Sequence, residues 1–369
     1  MQDVARLAGV SVKTVSNVVN DYPHISEATR SKVEKAIGQL GYQPNLTARN
    51  LRRGRTGLIG LALPELKLPY FAELADSVIV EAEKRGLRVL IEQTNSERSR
   101  EIDVLHGSVR HLLDGLIFSP LALAQEDVRQ LRVDYPLVVL GERVFDHGND
   151  HVTMSNVEAA RAATGHLLDL GRRRIALIGG HAGEVVGSAA LRERGYIEAI
   201  IRAGIPIDPL LIRETGLWHR ETGAEAMREL IASGIAFDGV FAMNDAMAIG
   251  CLHALHEAGL RIPDDVAVIG FDDIEDAAFT SPTLSTISPG REQIAEQAVA
   301  LLHRRIEARA RGEEDPHQFV RFDADFELVV RESTVGRDQR VANASMSRSA
   351  SQVAASSAAP GANSSPIAG

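Results

Sequence analysis

Two sets of residues in this 369-residue chain have the types and spacing for recognition chemistry. The first is Val12, Lys13, Thr14, Ser16, Asn17 and Asn20, which fall on the exposed side of one short predicted helix. A cation, two hydroxyls and two amides on one helical face can hydrogen-bond to base edges and phosphate oxygens. The second set stands at the ends of apolar, strand-like runs: Pro64, Ser119, Gly141 with Glu142, Gly180, Asn244 with Asp245, and Asp272 with Asp273. In a parallel sheet, strand ends are where a small ligand is held.

The elements that must position the first set are legible in residues 3–20. Val4, Ala5 and Ala8 share one face of a first helix, and Val15, Val18 and Val19 share one face of a second. Both sets keep the three-and-four spacing of a buried stripe. Gly9 permits a sharp turn between them, and Ser11 can cap the second helix by accepting from its free N–H groups. Two short helices broken at a glycine make a helix-turn-helix, whose usual partner is DNA. A third helix is predicted from Ser26 to about Gly41, with Val33, Ala36, Ile37 and Leu40 as its apolar stripe. It closes the core, and Pro44 ends the unit. Charge splits at this point. Residues 1–57 carry nine Lys/Arg against four Asp/Glu, a net +5 in a chain of net −10, so the remainder carries −15. A basic head on an acidic body is the electrostatic footprint of a phosphate-binding domain.

From Leu58 the chain alternates apolar runs with amphipathic stretches. Leu58–Leu63, Arg88–Glu92, Gly115–Ser119, Leu137–Gly141, Ile175–Gly180, Val240–Asn244 and Val266–Phe271 read as buried strands. Between them, 72–86, 97–113, 157–170, 189–204, 220–234 and 245–259 have helical periodicity. Alternating strands and helices predict doubly wound parallel sheets. At the strand ends, Asp245 is expected to cap the following helix, and Asp273 could cap a turn or helix.

Enzyme chemistry finds little support. Gly57-Leu58-Ile59-Gly60 and Gly179-Gly180-His181-Ala182-Gly183 lack the spacing of a dinucleotide loop, and no P-loop or Gly-x-Ser-x-Gly elbow is present. His253 and His256 have no third ligand nearby in sequence, and Cys251, the only cysteine, is expected to be a small buried hydrophobe. No catalytic residue, metal or cofactor is therefore assigned. With no 18-residue apolar run and no signal peptide, a cytoplasmic chain without membrane contact is expected.

The motifs Asp3-Val4-Ala5, Gly9-Val10-Ser11, Thr14-Val15-Ser16, Val18-Val19-Asn20 and Gly41-Tyr42-Gln43-Pro44-Asn45 resemble those of the lactose-repressor/galactose-repressor (LacI/GalR) family of bacterial transcription factors. The resemblance runs from residue 3 to about residue 335. It implies a small all-α helix-turn-helix domain followed by an α/β body of two lobes like periplasmic sugar-binding proteins. The second helix would enter the major groove. Val12, Lys13 and Asn17 would then contact bases, and Thr14, Ser16, Asn20 and His24 would contact phosphates. A hinge helix would fold in the minor groove with Leu51 as its wedge and Ala48 one turn earlier, flanked by Arg49, Arg52 and Arg53. Alone, so short a helix is not stable and would order only on DNA. Family members carry several more residues before the equivalent of Asp3, including a hydroxyl residue that caps the first helix. Here only Met1 and Gln2 precede it, which fits either a mis-assigned start or a real truncation.

The same resemblance assigns effector binding to Tyr70, Phe71, Arg192, Trp218, Asn244 and Asp272. An aromatic surface with Asn, Asp and Arg suits a sugar, whose C–H faces stack and whose hydroxyls both donate and accept. The family's glutamine in the last crossover is absent; Thr286-Ile287-Ser288-Pro289-Gly290 stands there. The implied organisation is a DNA-binding domain at 1–44, a hinge at 45–56 and a two-lobed body at 57–336. Lobe 1 takes about 57–155 plus 289–318 and lobe 2 about 156–288 plus 319–336, with crossovers near 155, 288 and 318. Residues 337–369, rich in Ser, Ala, Asn, Gly and Pro, are expected to be disordered. They contain no leucine heptads, so a homodimer is expected rather than a tetramer. The expected function is a repressor of sugar-utilisation genes on a pseudo-palindromic double-stranded DNA operator, controlled by a small effector, most plainly a sugar. The alternatives are a solute-binding protein without regulatory role and a regulator responding to a nucleoside or nucleobase.

Overall fold

The computed structural model describes residues 1–19, 22–42, 55–313 and 318–337; Asn20, Ala48, Leu51 and the tail 338–369 lie outside them. Two units are distinguished, one ending at Gly57 and the other starting at Leu58.

The first unit holds α1 (Gln2–Ala8), α2 (Val12–Val19) and α3 (Glu27–Leu40). Its core is Val4, Ala5, Val15, Val18, Val33 and Ala36, with Ala8, Val19 and Ile37 packed partly against it. Gly9 takes the left-handed conformation at φ 65°, so the Val10 N–H reaches back to the Ala5 carbonyl at 3.0 Å. Ser11 Oγ accepts from the Thr14 N–H at 3.0 Å, the expected cap, and Ser26 caps α3 through Thr29. One stripe residue is misplaced by periodicity. Leu40 is exposed, because Gly41 turns left-handed at φ 56° and the Tyr42 N–H returns to the Ile37 carbonyl. That turn folds Tyr42, not Leu40, against the core.

The second unit contains two parallel sheets. β1 (Leu58–Leu63), β2 (Arg88–Gln93), β3 (Gly115–Phe118), β4 (Leu137–Leu140), β5 (Asp150–Met154) and β11 (Arg321–Ala324) form a six-stranded sheet in the order β11-β5-β4-β3-β1-β2. β6 (Ile175–Gly180), β7 (Ile212–Glu214), β8 (Gly239–Ala242) and β9 (Ala267–Ile269) form a four-stranded sheet in the order β7-β6-β8-β9. β10 (Thr286–Ser288) and β12 (Glu327–Val329) pair antiparallel. Strand alternation sorts the side chains between two layers. Ile59, Leu61 and Leu63 pack on one face of the first sheet, where α4 (Pro69–Lys84) and α10 (Arg291–Ala310) supply Leu74, Val78, Ile294 and Leu302. Ala62, Leu116 and Phe118 pack on the opposite face, with Val104 and Leu105 of α5 (Arg98–His106). The second sheet is covered likewise by α6 (Asn156–Asp169) with α7 (Ser188–Arg202), and by α8 (Arg220–Ala232) with α9 (Asp245–Glu257). Where α8 crosses α9, a Cβ on Gly250 would collide with the Arg220 carbonyl, so only glycine lets the backbones approach this closely.

Three expectations need correction. The third crossover is not near 318: β11 pairs parallel with β5 (Arg321 beside His151), so the chain leaves the first sheet only after Ala324. Arg88–Glu92 is not a buried strand but the edge of its sheet, with Arg88 and Gln93 exposed. A helical turn at 332–337 includes Arg337, so the described structure runs one residue into the segment expected to be disordered.

Candidate functional site: the α2 face and the cleft between the two sheets

On α2, Val12 and Lys13 are exposed, and Thr14, Ser16 and Asn17 are half-buried around the Val15 and Val18 knobs. Thr14 Oγ1 is 2.9 Å from Ser11 Oγ. His24, beyond α2, is exposed and lies edge-on to Tyr22. Five of the residues proposed to contact DNA thus lie on α2, and a sixth, His24, lies beyond it.

Pro64, Ser119, Gly141, Glu142, Asn244 and Asp272 of the second set line a cleft of about 280 Å³ built from the C-terminal ends of both parallel sheets. Gly180, Asp245 and Asp273 do not line it. The first sheet contributes Pro64 and Glu65 after β1, Ser119 after β3, and Gly141 and Glu142 after β4. The second contributes His181 after β6, Asn244 after β8 and Asp272 after β9. All six residues proposed to hold an effector line this cleft.

Arg192 is buried on α7 at the centre. Its Nε donates to Asn156 Oδ1 at 2.8 Å, its Nη1 donates to the Met243 carbonyl, and its Nη2 lies 3.9 Å from Asp272 Oδ1. Its charged plane sits 3.5 Å from the Phe271 ring centroid and 5.2 Å from that of Trp218. Trp218 is held by its own Nε1 donation to the Gly179 carbonyl at 2.9 Å, and the His181 ring leans on it at 5.4 Å. Asn244 caps α9 by accepting from the Met247 N–H at 2.8 Å, while its Nδ2 donates to the Trp218 carbonyl at 3.0 Å. The cap is therefore Asn244 rather than Asp245. Asp245 is buried behind the cleft instead, where it accepts from Thr286 Oγ1 at 2.6 Å and the Ile274 N–H at 3.0 Å. Among the described residues Asp273 caps no helix either; it pairs with Arg331 at 2.7 Å.

Asp272 is the strained member. Its φ of 119° is unusual for a residue with a side chain, and Asp273 follows at 50°. The turn is held because the Asp272 N–H donates to the Ile287 carbonyl at 2.8 Å and Asp245 secures Ile274. Among the described residues the Asp272 carboxylate accepts no hydrogen bond. Burial pushes its pKa up to about 7 against the opposing pull of Arg192 and Arg291. Asp245 is raised well above the ordinary carboxylate range, by burial first and then by Asp272. Tyr70, at the start of α4, packs against the cores of both sheets and meets Phe71 edge-on at 5.3 Å. Its hydroxyl is raised by burial and by the Asp272 and Glu142 carboxylates.

Cross-cleft bonds tie the two halves together. Glu65 Oε2 meets His219 Nε2 at 2.8 Å, Ser188 donates to Glu142 at 2.8 Å, and Arg143 reaches Glu184 at 3.0 Å. The Glu275 N–H donates to Glu73 at 3.0 Å. Sequence reasoning placed Glu142 at a strand end without assigning it a role, and it missed His181, Glu184 and Asn156. The signal for His181 was its position one residue past Gly180.

Residues 1–45 match the family described as bacterial regulatory proteins, lacI family, and residues 164–334 match a periplasmic binding protein-like domain. The ribose operon repressor of Escherichia coli strain K12 is 36% identical over 308 residues, covering 83% of this chain and 92% of that protein. The chain belongs to the LacI family of bacterial regulatory proteins. Two solved structures share its fold. A putative LacI-family regulator from Sanguibacter keddieii is 48% identical with a TM-score of 0.70, covering 77% of this chain and all of that one. The lac repressor dimer bound to operator and the anti-inducer ONPF is 29% identical with a TM-score of 0.76, covering 90% and 98%. As a LacI-family member the chain is a DNA-binding transcription regulator with a periplasmic-binding-like body. Among the described residues no helix is long and apolar enough to cross a membrane, and no cluster of His, Cys, Asp and Glu could hold a metal. Cys251 is buried and its thiol is pushed up to about 12 by burial.

Proposed function

We propose that this LacI-family chain represses sugar-utilisation genes as a cytoplasmic homodimer and is not an enzyme. The operator is pseudo-palindromic, and a sugar in the cleft controls its occupancy. Val12, Lys13 and Asn17 read base edges; Thr14, Ser16, Asn20 and His24 hold phosphates; Leu51, with Ala48, wedges the minor groove. Tyr70, Phe71 and Trp218 offer apolar surface to the sugar ring, while Arg192, Asn244 and Asp272 hydrogen-bond its hydroxyls. The observation that carries the reading is the buried Asp272 carboxylate, which accepts no hydrogen bond among the described residues and lies 3.9 Å from Arg192 in the cleft that Trp218 also lines. An acceptor and a donor this close fit two adjacent hydroxyls. The sugar acts only by binding the DNA-competent and DNA-incompetent states with different affinity.

Gel-shift titration with DNA from upstream of its own gene neighbourhood tests the reading. A regulator gives a discrete complex that survives excess competitor DNA, whereas a solute-binding protein gives none.

A further inference from the structure

The charge of the ligand can also be read from the cleft, on the premise that the cleft is the effector site. Four carboxylates, Glu65, Glu142, Glu184 and Asp272, and two guanidiniums, Arg143 and Arg192, line it. Neither guanidinium has an unmatched charge. Arg192 has Asp272 beside it and spends two of its nitrogens on Asn156 and Met243. Arg143 Nη1 is shared between Glu184 Oε2 and the Val186 carbonyl, both at 3.0 Å. The two histidines are engaged as well, His219 with Glu65 at 2.8 Å and His181 with Glu184 at 2.9 Å. What remains available is neutral hydrogen-bonding capacity. Asp272 can accept; among the described residues the Nε of Arg143 and Nε2 of His181 also have no partner, but both are enclosed by protein atoms.

We propose that the cleft selects an uncharged polyhydroxyl ligand and rejects the phosphorylated and carboxylated forms of the same compound. A hydroxyl donates to Asp272 and accepts from a guanidinium N–H at the cleft wall without bringing a counter-ion. A phosphate would have to displace Asp272 or Glu184 from its arginine. It would then stand among like charges in a walled site, where solvent screens poorly. Glu184 is the discriminating residue, because among the described residues it is the carboxylate paired with Arg143 at the wall. Burial opposes its ionisation, but the His181 hydrogen bond and Arg143 outweigh that and hold its pKa below the ordinary value.

The test is thermal-shift titration of the full-length chain with free pentoses and hexoses, their monophosphates, their uronic acids and a nucleoside panel. The same titrations are then run on Glu184→Gln. One free sugar is expected to raise Tm, with its phosphate weaker by on the order of a hundredfold or more. Glu184→Gln, which frees Arg143, is expected to narrow that gap by about tenfold or more. A phosphate that binds the wild type more tightly than its parent sugar overturns the proposal but keeps the sugar reading. An unchanged gap in a Glu184→Gln protein that still binds the free sugar overturns the role of Glu184. If no sugar in any form shifts Tm, the sugar reading fails and the proposal with it. The wild-type comparison stands whatever the stability of the variant.

Discussion

The α2 face and the cleft are built on opposite plans. On α2 the groups proposed to meet DNA stand in or near solvent over a core of six small side chains, and Val12 and Lys13 are exposed. In the cleft Arg192, Asn244 and Asp272 are buried, and each is positioned by named partners before any ligand arrives. The difference follows from the partner. A duplex brings many contacts and a dense charge, so side chains can stay free until they meet it. A small ligand supplies few contacts, so the site must be organised beforehand if binding is not to be spent on ordering it. Substitutions should therefore cost fold stability in the cleft and leave it untouched on α2.

The largest effect is expected at Arg192. Arg192→Ala leaves Asn156 Oδ1 and the Met243 carbonyl without this donor and removes the cation 3.9 Å from Asp272, leaving only the pull of Arg291. The expected loss is about 3–5 kcal/mol of stability, as for a broken buried ion pair, read as a lower calorimetric Tm. A wild-type Tm would break the comparison, since the cleft would then be no more integrated than α2.

Asp272 gives the next effect, through pH. Its native pKa of about 7 lies above its unfolded value, so between the two the native state holds the extra proton. Stability from this group is present at low pH and is lost as pH rises from the ordinary carboxylate range through about 7. Asp272→Asn should flatten that part of the Tm–pH curve, while the rest of the profile is kept. A slope unchanged in the variant would assign the proton elsewhere.

The smallest change in stability is expected at Lys13. Lys13→Ala should shift unfolding free energy by no more than about 0.5 kcal/mol, as is usual for exposed positions. It should nevertheless weaken operator binding by about 1–3 kcal/mol if Lys13 donates to a guanine. Equal losses on operator and random DNA would make Lys13 a phosphate contact instead.

Much of the fold was legible because short continuous apolar runs, such as Leu58–Leu63 and Ile175–Gly180, announce strands buried on both faces directly. β5 was not. Asp150, His151 and Thr153 are buried by pairing rather than by hydropathy: Asp150 accepts from Arg305 at 2.8 Å and Thr153 donates to Glu142 at 2.6 Å. The same pairing hid the true third crossover, since β11 alternates exposed Arg321 and Asp323 with its inward residues and looks like surface. In the cleft, residues on strand ends and helix faces could be found by position. Glu184 and His181 sit on a loop without periodicity, and the partner that gives Glu142 its place, Ser188, is 46 residues further on. Such pairings exist only in three dimensions.

The central claim is that a ligand in the cleft controls DNA binding by the α2 face. It is tested most directly by fluorescence anisotropy on labelled operator DNA, with saturating amounts of whichever free sugar raises Tm. The account predicts that this sugar changes the operator Kd of the wild type by about tenfold or more. It also predicts that Asp272→Asn binds operator as the wild type does without sugar and fails to respond to it. A sugar that binds tightly yet leaves the operator Kd unchanged would contradict the account.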